Sequence, residues 1–254
     1  GGINGKFQIL DCTDPEAVVV EVREDDFQRA TFTTVSPDGS MMLGSKGGDF
    51  ILFSMSDGLP IKTFTFDEAY TQPDWSPTGD RIAAVRMAFG QSPEFRFVGG
   101  EIVSFPYANQ ELGEPEVLVP TDGEHNFYYP AWSPDGEWLA YNKTIGSAYA
   151  SPTAELYLTD KRGTQHIRLD NANGEGALQN SYSRWGPLPD DDVLWLAYSS
   201  RRTYPFEFGL RPQIWLTAID TVAAAQGHDP SSAPFWLPGQ ETGSDNHLPK
   251  WWDQ

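Results

Sequence analysis

The chain has 254 residues and a formal net charge of −19, because 36 Asp and Glu outnumber 17 Lys and Arg. Such an acidic surface repels phosphate backbones and anionic lipid headgroups, which argues against nucleic acid and membrane surfaces as partners. No apolar run is long enough for a membrane-spanning helix, so we predict no direct membrane insertion. The length suffices to bury the core of one all-β domain.

The N-terminal segment contains the first two predicted strands, at residues 6–13 and 17–22. The only cysteine, Cys12, lies in the first of them; it has no second thiol for an internal disulfide, and we expect it to be buried. One cysteine suits both the cytosol and the periplasm. The chain begins with Gly1-Gly2-Ile3 and no initiator Met, from which we expect a processed or truncated product.

A short phrase then recurs along the chain, each time after an aromatic or β-branched residue and before an apolar segment. Its copies are Val35-Ser36-Pro37-Asp38-Gly39, Trp75-Ser76-Pro77-Thr78-Gly79, Trp132-Ser133-Pro134-Asp135-Gly136, the degenerate Trp185-Gly186-Pro187 and a fifth start at Pro249-Lys250-Trp251. Proline presets the first corner of a tight turn and glycine accepts the positive φ that closes it. A phrase at such intervals indicates a repeat architecture.

Aligned on this phrase, each repeat predicts four strands. The first strands lead into the turn and are predicted at residues 31–35, 72–75, 128–132 and 182–185. The second strands follow the turn, at residues 41–45, 81–87, 138–143 and 193–199. The third strands are predicted at residues 49–54, 101–105, 155–159 and 213–218. The fourth strands are short, at residues 61–66, 116–119, 166–169 and 235–237, and a helical turn is expected within 221–227.

Four antiparallel strands per repeat predict an all-β fold, a β-propeller of four-stranded blades. We expect a single domain over residues 1–254, with blades at about 30–66, 70–120, 127–170 and 180–238. A first strand at 246–252 would share a further blade, spanning 246–254 and 6–22, with the two N-terminal strands. Pairing of the termini closes the ring and removes its exposed edges. This interpretation gives five blades, and six remain the alternative.

The Ser-Pro-Asp-Gly phrase behind Pro-x-Trp, as in Pro73-Asp74-Trp75 and Pro130-Ala131-Trp132, resembles the repeat of TolB-type, WD-like bacterial propellers. The resemblance covers most of the chain, and the chain departs from it at 185–190 and 246–251. It implies a propeller fold and export to the bacterial periplasm or cell surface. It implies no particular function, because the repeat occurs in periplasmic adaptors, lipoproteins and peptidase propellers.

Recognition in such a fold is expected on the face that carries the long loops after the second strands and the connections between blades. The aromatic, Arg, Asn and His residues predicted on this face are Tyr70, Phe95, Arg96, Phe97, His125, Asn126, Tyr128, Tyr149, Arg201, Arg202, Tyr204, Phe206, Asn246 and His247. The alternative for these aromatics is that they cap the blade cores.

Signatures of catalysis are absent from the sequence: there is no Gly-x-Ser-x-Gly, no His-Glu-x-x-His and no glycine-rich phosphate loop. His125 and His247 with Glu124 and Asp245 are a conceivable acid–base set at the channel mouth. Metal candidates are Asp170, Asn173 and Glu175, whose oxygens suit Ca²⁺ but do not have the helix-loop-helix spacing.

The sequence therefore predicts, with no cofactor assigned, a non-catalytic propeller that binds a protein partner in the cell envelope, as a subunit of a larger assembly. Two alternatives remain open. One is a polysaccharide lyase or hydrolase whose exposed aromatics stack on sugar rings. The other is the propeller domain of a peptidase.

Overall fold

The computed structural model describes residues 8–10, 18–21, 30–88, 94–187, 193–203, 211–241, 243–249 and 251. Within them, four antiparallel sheets follow one another along the chain, and a two-stranded hairpin precedes them. The hairpin strands are β1 (Gln8–Leu10) and β2 (Val18–Glu21). No helix in the described ranges has the length and apolar character to cross a bilayer.

In three of the four sheets, neighbouring strands are consecutive in the chain, and the second sheet departs from this order at its outer edge. The first sheet contains β3 (Phe32–Val35), β4 (Met41–Lys46), β5 (Asp49–Ser54) and β6 (Pro60–Phe64). The second contains β7 (Ala69–Trp75), β8 (Arg81–Met87), β9 (Glu101–Ala108), β10 (Glu111–Leu112) and β11 (Glu116–Val119), with β10 and β11 both paired to β9.

The third sheet contains β12 (His125–Trp132), β13 (Trp138–Ile145), β14 (Glu155–Asp160) and β15 (His166–Arg168), followed by α1 (Asp170–Asn173). The fourth contains β16 (Ser181–Trp185), β17 (Val193–Ser200), β18 (Gln213–Asp220), α2 (Thr221–Ala225) and β19 (Phe235–Trp236). All sixteen strands predicted for the four repeats are thus present in these sheets, as is the predicted helical turn at α2. The β10 strand and the α1 helix are additions that the sequence did not predict.

The repeated phrase forms the turn between the first and second strands. In its three full copies the glycine N–H donates to the serine carbonyl, at 2.8 Å for Gly39, 3.0 Å for Gly79 and 2.9 Å for Gly136. These glycines all have positive φ, between 69° and 76°. The serine hydroxyl accepts the N–H that begins the second strand, as when Trp138 donates to Ser133 at 2.9 Å. The turn chemistry inferred from the sequence is therefore confirmed.

Apolar cores lie between consecutive sheets. Leu43 and Phe50 of the first sheet pack with Ile82 and Phe105 of the second. The second and third sheets meet in a cluster of Ala83, Ile102, Leu118, Phe127, Leu139 and Tyr141. The third and fourth meet in a cluster that includes Leu156, Leu158, Leu194, Leu196 and Tyr198. Consecutive sheets therefore pack face to face, as the blades of a propeller do.

The first strands contact one another in series, β3 with β7, β7 with β12 and β12 with β16, so they form the inner layer. Side chains link them: the backbone N–H of Trp75 donates to the Thr34 hydroxyl at 3.1 Å, and the backbone N–H of Trp132 donates to the Asp74 carboxylate at 2.8 Å. Both acceptors come from the residue before the turn phrase in the preceding sheet. The side chain at this position therefore joins the first sheet to the second and the second to the third.

The C-terminal segment differs from the prediction, because residues 246–249 and 251 form no strand. Their conformation nevertheless resembles that of a first strand. Leu248 has a φ of 55°, and the Trp251 indole donates to the Arg184 carbonyl at 3.1 Å. In the same way, Trp185 donates to the Ala131 carbonyl at 2.9 Å. No described strand pairs with the described residues of this segment.

Candidate functional site

Two loops on the predicted recognition face are held together by one buried side chain. Asn126 is 1% exposed. Its carbonyl oxygen accepts the Gly100 N–H at 2.8 Å, and its amide donates to the carbonyls of Phe97 at 2.8 Å and Gly146 at 3.1 Å. The Ala148 N–H also donates to the Phe97 carbonyl at 3.0 Å. The described part of the first loop, 94–100, is thus fixed to the loop at 145–153.

The outer surface of these loops carries a cluster of a cation and two aromatic rings. The Arg96 guanidinium lies 5.5 Å from the centre of the Phe95 ring and 5.0 Å from that of Tyr149. The two rings are 5.5 Å apart, edge to face. Tyr149 is 44% exposed, Val98 is 49% and Ile145 is 58%. We call Phe95, Arg96, Val98, Ile145 and Tyr149 the rim patch.

A groove of about 210 Å³ borders the rim patch and shares Ile145 with it. The other residues that line it are His125, Lys143, Thr144, Thr153, Glu155 and Tyr157. The Lys143 ammonium lies over two rings, 5.8 Å from Phe127 and 5.5 Å from Tyr157. The groove therefore adds a second ring-bound cation to this side of the molecule.

His125 is held at the end of its strand by Asp122. The imidazole Nδ1 is 2.7 Å from the Asp122 carboxylate, which also accepts the backbone N–H of His125 at 2.7 Å and of Glu124 at 3.0 Å. Partial burial opposes ionisation of this carboxylate, but the hydrogen bonds outweigh it and lower the pKa of Asp122 to about 2.

Arg202 is used inside the fold rather than at its surface. Its guanidinium stacks over Tyr198 and Trp215, 5.8 and 5.0 Å from their ring centres. It donates to the Ala172 carbonyl and, at 3.1 Å, to the Asn173 carbonyl. Burial lowers the pKa of Arg202. Arg201 is exposed, whereas Tyr204 and Phe206 lie outside the described residues.

Four more of the predicted face residues support the scaffold. Tyr70 is 3% exposed and packs edge to face on Phe105, Phe97 is fully buried, and Tyr128 is 1% exposed. The Asn246 amide donates to Gln213 at 3.1 Å and to the Glu241 carbonyl at 3.0 Å. For the three aromatic residues the alternative, that they cap the blade cores, agrees with their burial, whereas Asn246 is half-buried.

His247 does not meet His125. Its ring lies 5.6 Å from the Tyr182 ring, and its Nδ1 is 3.2 Å from the Ser199 hydroxyl. Burial lowers its pKa. The contacts of His125 are to Asp122 and Phe127. The two histidines share none of these neighbours, so the described residues give no support to a joint acid–base site.

The metal candidates are engaged in other contacts. The Asn173 side chain bonds both backbone groups of Leu156, at 2.7 and 2.8 Å, and Asp170 is paired with Arg168. Glu175 is exposed on the following loop. The described part of the chain brings no three His, Cys, Asp or Glu residues together in a geometry suited to a metal ion.

The inner layer formed by the first strands contains a feature that the sequence did not reveal. Three first strands are bulged at the same position, three residues before the repeat tryptophan, between Thr71 and Asp74, Tyr128 and Ala131, and Ser181 and Arg184. The bulged residues Gln72, Tyr129 and Tyr182 have φ of 52°, 50° and 60°. Left-handed non-glycine residues carry strain, which the surrounding packing must offset.

The side chains of these bulged residues meet. Tyr129 lies between Tyr182, at 4.7 Å, and Phe32, at 5.7 Å between ring centres, and its backbone N–H donates to the side-chain amide oxygen of Gln72 at 2.7 Å. All three bulged residues are less than 10% exposed. Residues from all four sheets thus fill the inner layer at this level. One residue type repeated three positions before each tryptophan could have suggested this feature. The residues there are Gln72, Tyr129 and Tyr182, which are not all of one type.

A comparison with protein-family models gives no match, and neither does a comparison with curated proteins. Among solved structures, hydrazine synthase from Kuenenia stuttgartiensis matches 84% of this chain and 58% of its own, with TM-score 0.51 and 15% identity. Prolyl oligopeptidase B from Galerina marginata matches 84% of this chain and 30% of its own, with TM-score 0.50 and 13% identity. TolB from Acinetobacter baumannii matches 77% and 42%, with TM-score 0.48 and 14% identity.

This chain therefore spans between 30 and 58% of the length of these similar chains. At such identities the likeness concerns the fold alone. The four sheets and their order agree with the propeller fold predicted from the repeat.

Proposed function

We propose that this chain is a non-catalytic recognition propeller that binds a protein partner through the rim patch. The observation that carries the proposal is the rigid presentation of exposed side chains. Asn126 fixes both loops from beneath, while the exposed Arg96 and Tyr149 form one cluster with the half-buried Phe95. Exposed aromatic and Arg side chains on a fixed scaffold are typical of binding hot spots.

The remaining predicted face residues have two roles in this proposal. Asn126, Phe97, Tyr70 and Tyr128 position the loops and their strands from the interior. We assign Arg201, His125 and His247 to the periphery of this surface, and Tyr204 and Phe206 belong to the same predicted face. Binding therefore depends most on the rim patch, and the peripheral residues extend it.

We also propose that the chain forms one domain whose fifth blade begins at 246–251 and includes β1 and β2. The left-handed Leu248 and the bond from Trp251 to Arg184 support this, because they repeat features of the other first strands. An experimental structure in which β1 and β2 lie away from the C-terminal segment would contradict it. Residence in the bacterial envelope, as part of a larger assembly, rests on the resemblance of the repeat.

The binding proposal is tested by site-specific photocrosslinking. A photoreactive amino acid replaces Tyr149, and in a matched control it replaces Arg162, which is exposed on the turn between β14 and β15. We expect native extracts to give a defined adduct, identified by mass spectrometry, from position 149 only. Adducts of equal yield from both positions, or none at position 149, would contradict the proposal.

A further inference from the structure

Only some of the Lys and Arg side chains in the described residues form ion pairs with carboxylates. Within the described residues, carboxylates pair with Lys62, Arg81, Arg86, Lys161, Arg168 and Arg211. Arg96 and Lys143 have no such ion pair in the described part of the chain, and each lies over two aromatic rings. Arg202 also lies over two rings, but its guanidinium donates to backbone carbonyls of the interior.

Aromatic stacking has a consequence for what Arg96 can bind. Ring contacts use the flat faces of the guanidinium and leave its N–H edge available. That edge matches a carboxylate with two parallel hydrogen bonds. The exposed apolar side chains of Val98 and Ile145 belong to the same patch. The rim patch thus combines a carboxylate-binding edge with apolar surface.

The charge of the whole molecule narrows the class of ligand. A net charge of −19 repels a long polyanion, whose many charges meet few cations here. A short segment with one or two carboxylates gains the contacts with Arg96 and Lys143 without that accumulated repulsion. Apolar side chains next to the carboxylate bury their surface against the patch, which favours binding.

We propose that the rim patch binds a short polypeptide segment in which an Asp or Glu is flanked by apolar side chains. This inference rests on the proposed function and specifies its partner. Arg96 receives the carboxylate, the apolar side chains cover Val98 and Ile145, and Lys143 in the groove attracts a second carboxylate.

The test is selection from a phage-displayed library of random octapeptides, followed by fluorescence anisotropy with the selected peptides. We expect selected sequences to contain Asp or Glu next to apolar residues. Arg96→Glu is expected to weaken binding of these peptides at least tenfold, and Arg96→Lys, which keeps the charge but loses the planar fork, about threefold. The matched control Arg162→Glu makes the same charge change on a distant turn and should leave affinity unchanged.

Several outcomes would overturn the inference. Selected peptides without acidic residues, or unchanged affinity when Glu in the peptide is replaced by Gln, would show that the patch does not recognise a carboxylate. Equal competition by a galacturonate hexamer would point to anionic sugars instead. Equal weakening by Arg162→Glu would mean unspecific charge effects. If no peptide is selected while crosslinking at position 149 persists, the segment chemistry is wrong but the binding face stands; loss of both contradicts both.

Discussion

Asp74 offers a test of how the sheets are joined at the inner layer. Its carboxylate accepts the Trp132 N–H at 2.8 Å and so links the second sheet to the third. It keeps some solvent contact, yet burial raises its pKa from 3.8 to about 6 despite the opposing attraction of Arg184. Replacement by Asn retains an oxygen for the Trp132 N–H and removes the buried charge.

The expected difference in unfolding free energy follows from the shift in the pKa of Asp74 between the folded and unfolded states. Because the folded-state pKa lies above the unfolded value, the folded protein binds more protons between pH 4 and 6, and stability falls as pH rises through that window. A shift of about two units corresponds to about 3 kcal/mol once the carboxyl is fully ionised. Asp74→Asn should therefore be more stable than wild type by up to about 3 kcal/mol at pH 8, and by well under 1 kcal/mol at pH 4.

Urea denaturation of both proteins at pH 4, 5, 6, 7 and 8 measures this difference directly. Every other titrating group is shared by the two proteins, so the pH dependence of the difference isolates Asp74. A difference that stays constant across this range would refute the raised pKa. A variant that is less stable at pH 8 would show that the charge of Asp74 strengthens the link between the sheets.

Two other substitutions test the rim and the packing between sheets. Asn126→Ala leaves the buried Gly100 N–H unsatisfied and removes one of the two hydrogen bonds to the Phe97 carbonyl, so we expect a loss of about 1–3 kcal/mol in urea denaturation and faster amide exchange in loops 94–100 and 145–153; unchanged exchange there would contradict the role of Asn126. Gly163→Ala should destabilise much more than Gly123→Ala. Both glycines have positive φ, but a Cβ on Gly163 would lie 2.4 Å from the Leu118 carbonyl oxygen, whereas one on Gly123 meets nothing within 4 Å. Similar losses of thermal stability for both would argue against this close contact between the second and third sheets.

Strand positions were predictable because they follow from local patterns. Alternation of apolar residues and the Ser-Pro-Asp-Gly turn act within a few neighbouring residues, so β8 and β5 were predicted to the residue. The short β10 was missed because Glu111 and Leu112 have no alternation and are strand only through pairing with β9. The strand predicted at the C-terminus failed for the converse reason: its sequence suits a strand, but no described strand pairs with it.

The candidate site was predictable only in part. Loop length and composition placed Phe95, Arg96 and Tyr149 on one face, where the structure brings them together. The same composition included Phe97, Tyr128 and Arg202, which the fold buries or stacks internally. An aromatic or Arg residue in a loop has no local signal for inward or outward orientation, because that depends on which neighbouring sheet lies beneath it.

The sequence by itself determined the repeat, the turns and the antiparallel strands, because these depend on backbone preferences and apolar spacing over a few residues. Only the tertiary structure decided that Asn126 ties two loops, that Arg96 rests between two rings, and that Gln72, Tyr129 and Tyr182 meet at the inner layer. Those contacts join residues up to 57 positions apart. They exist because the sheets pack side by side, and no local pattern encodes that packing.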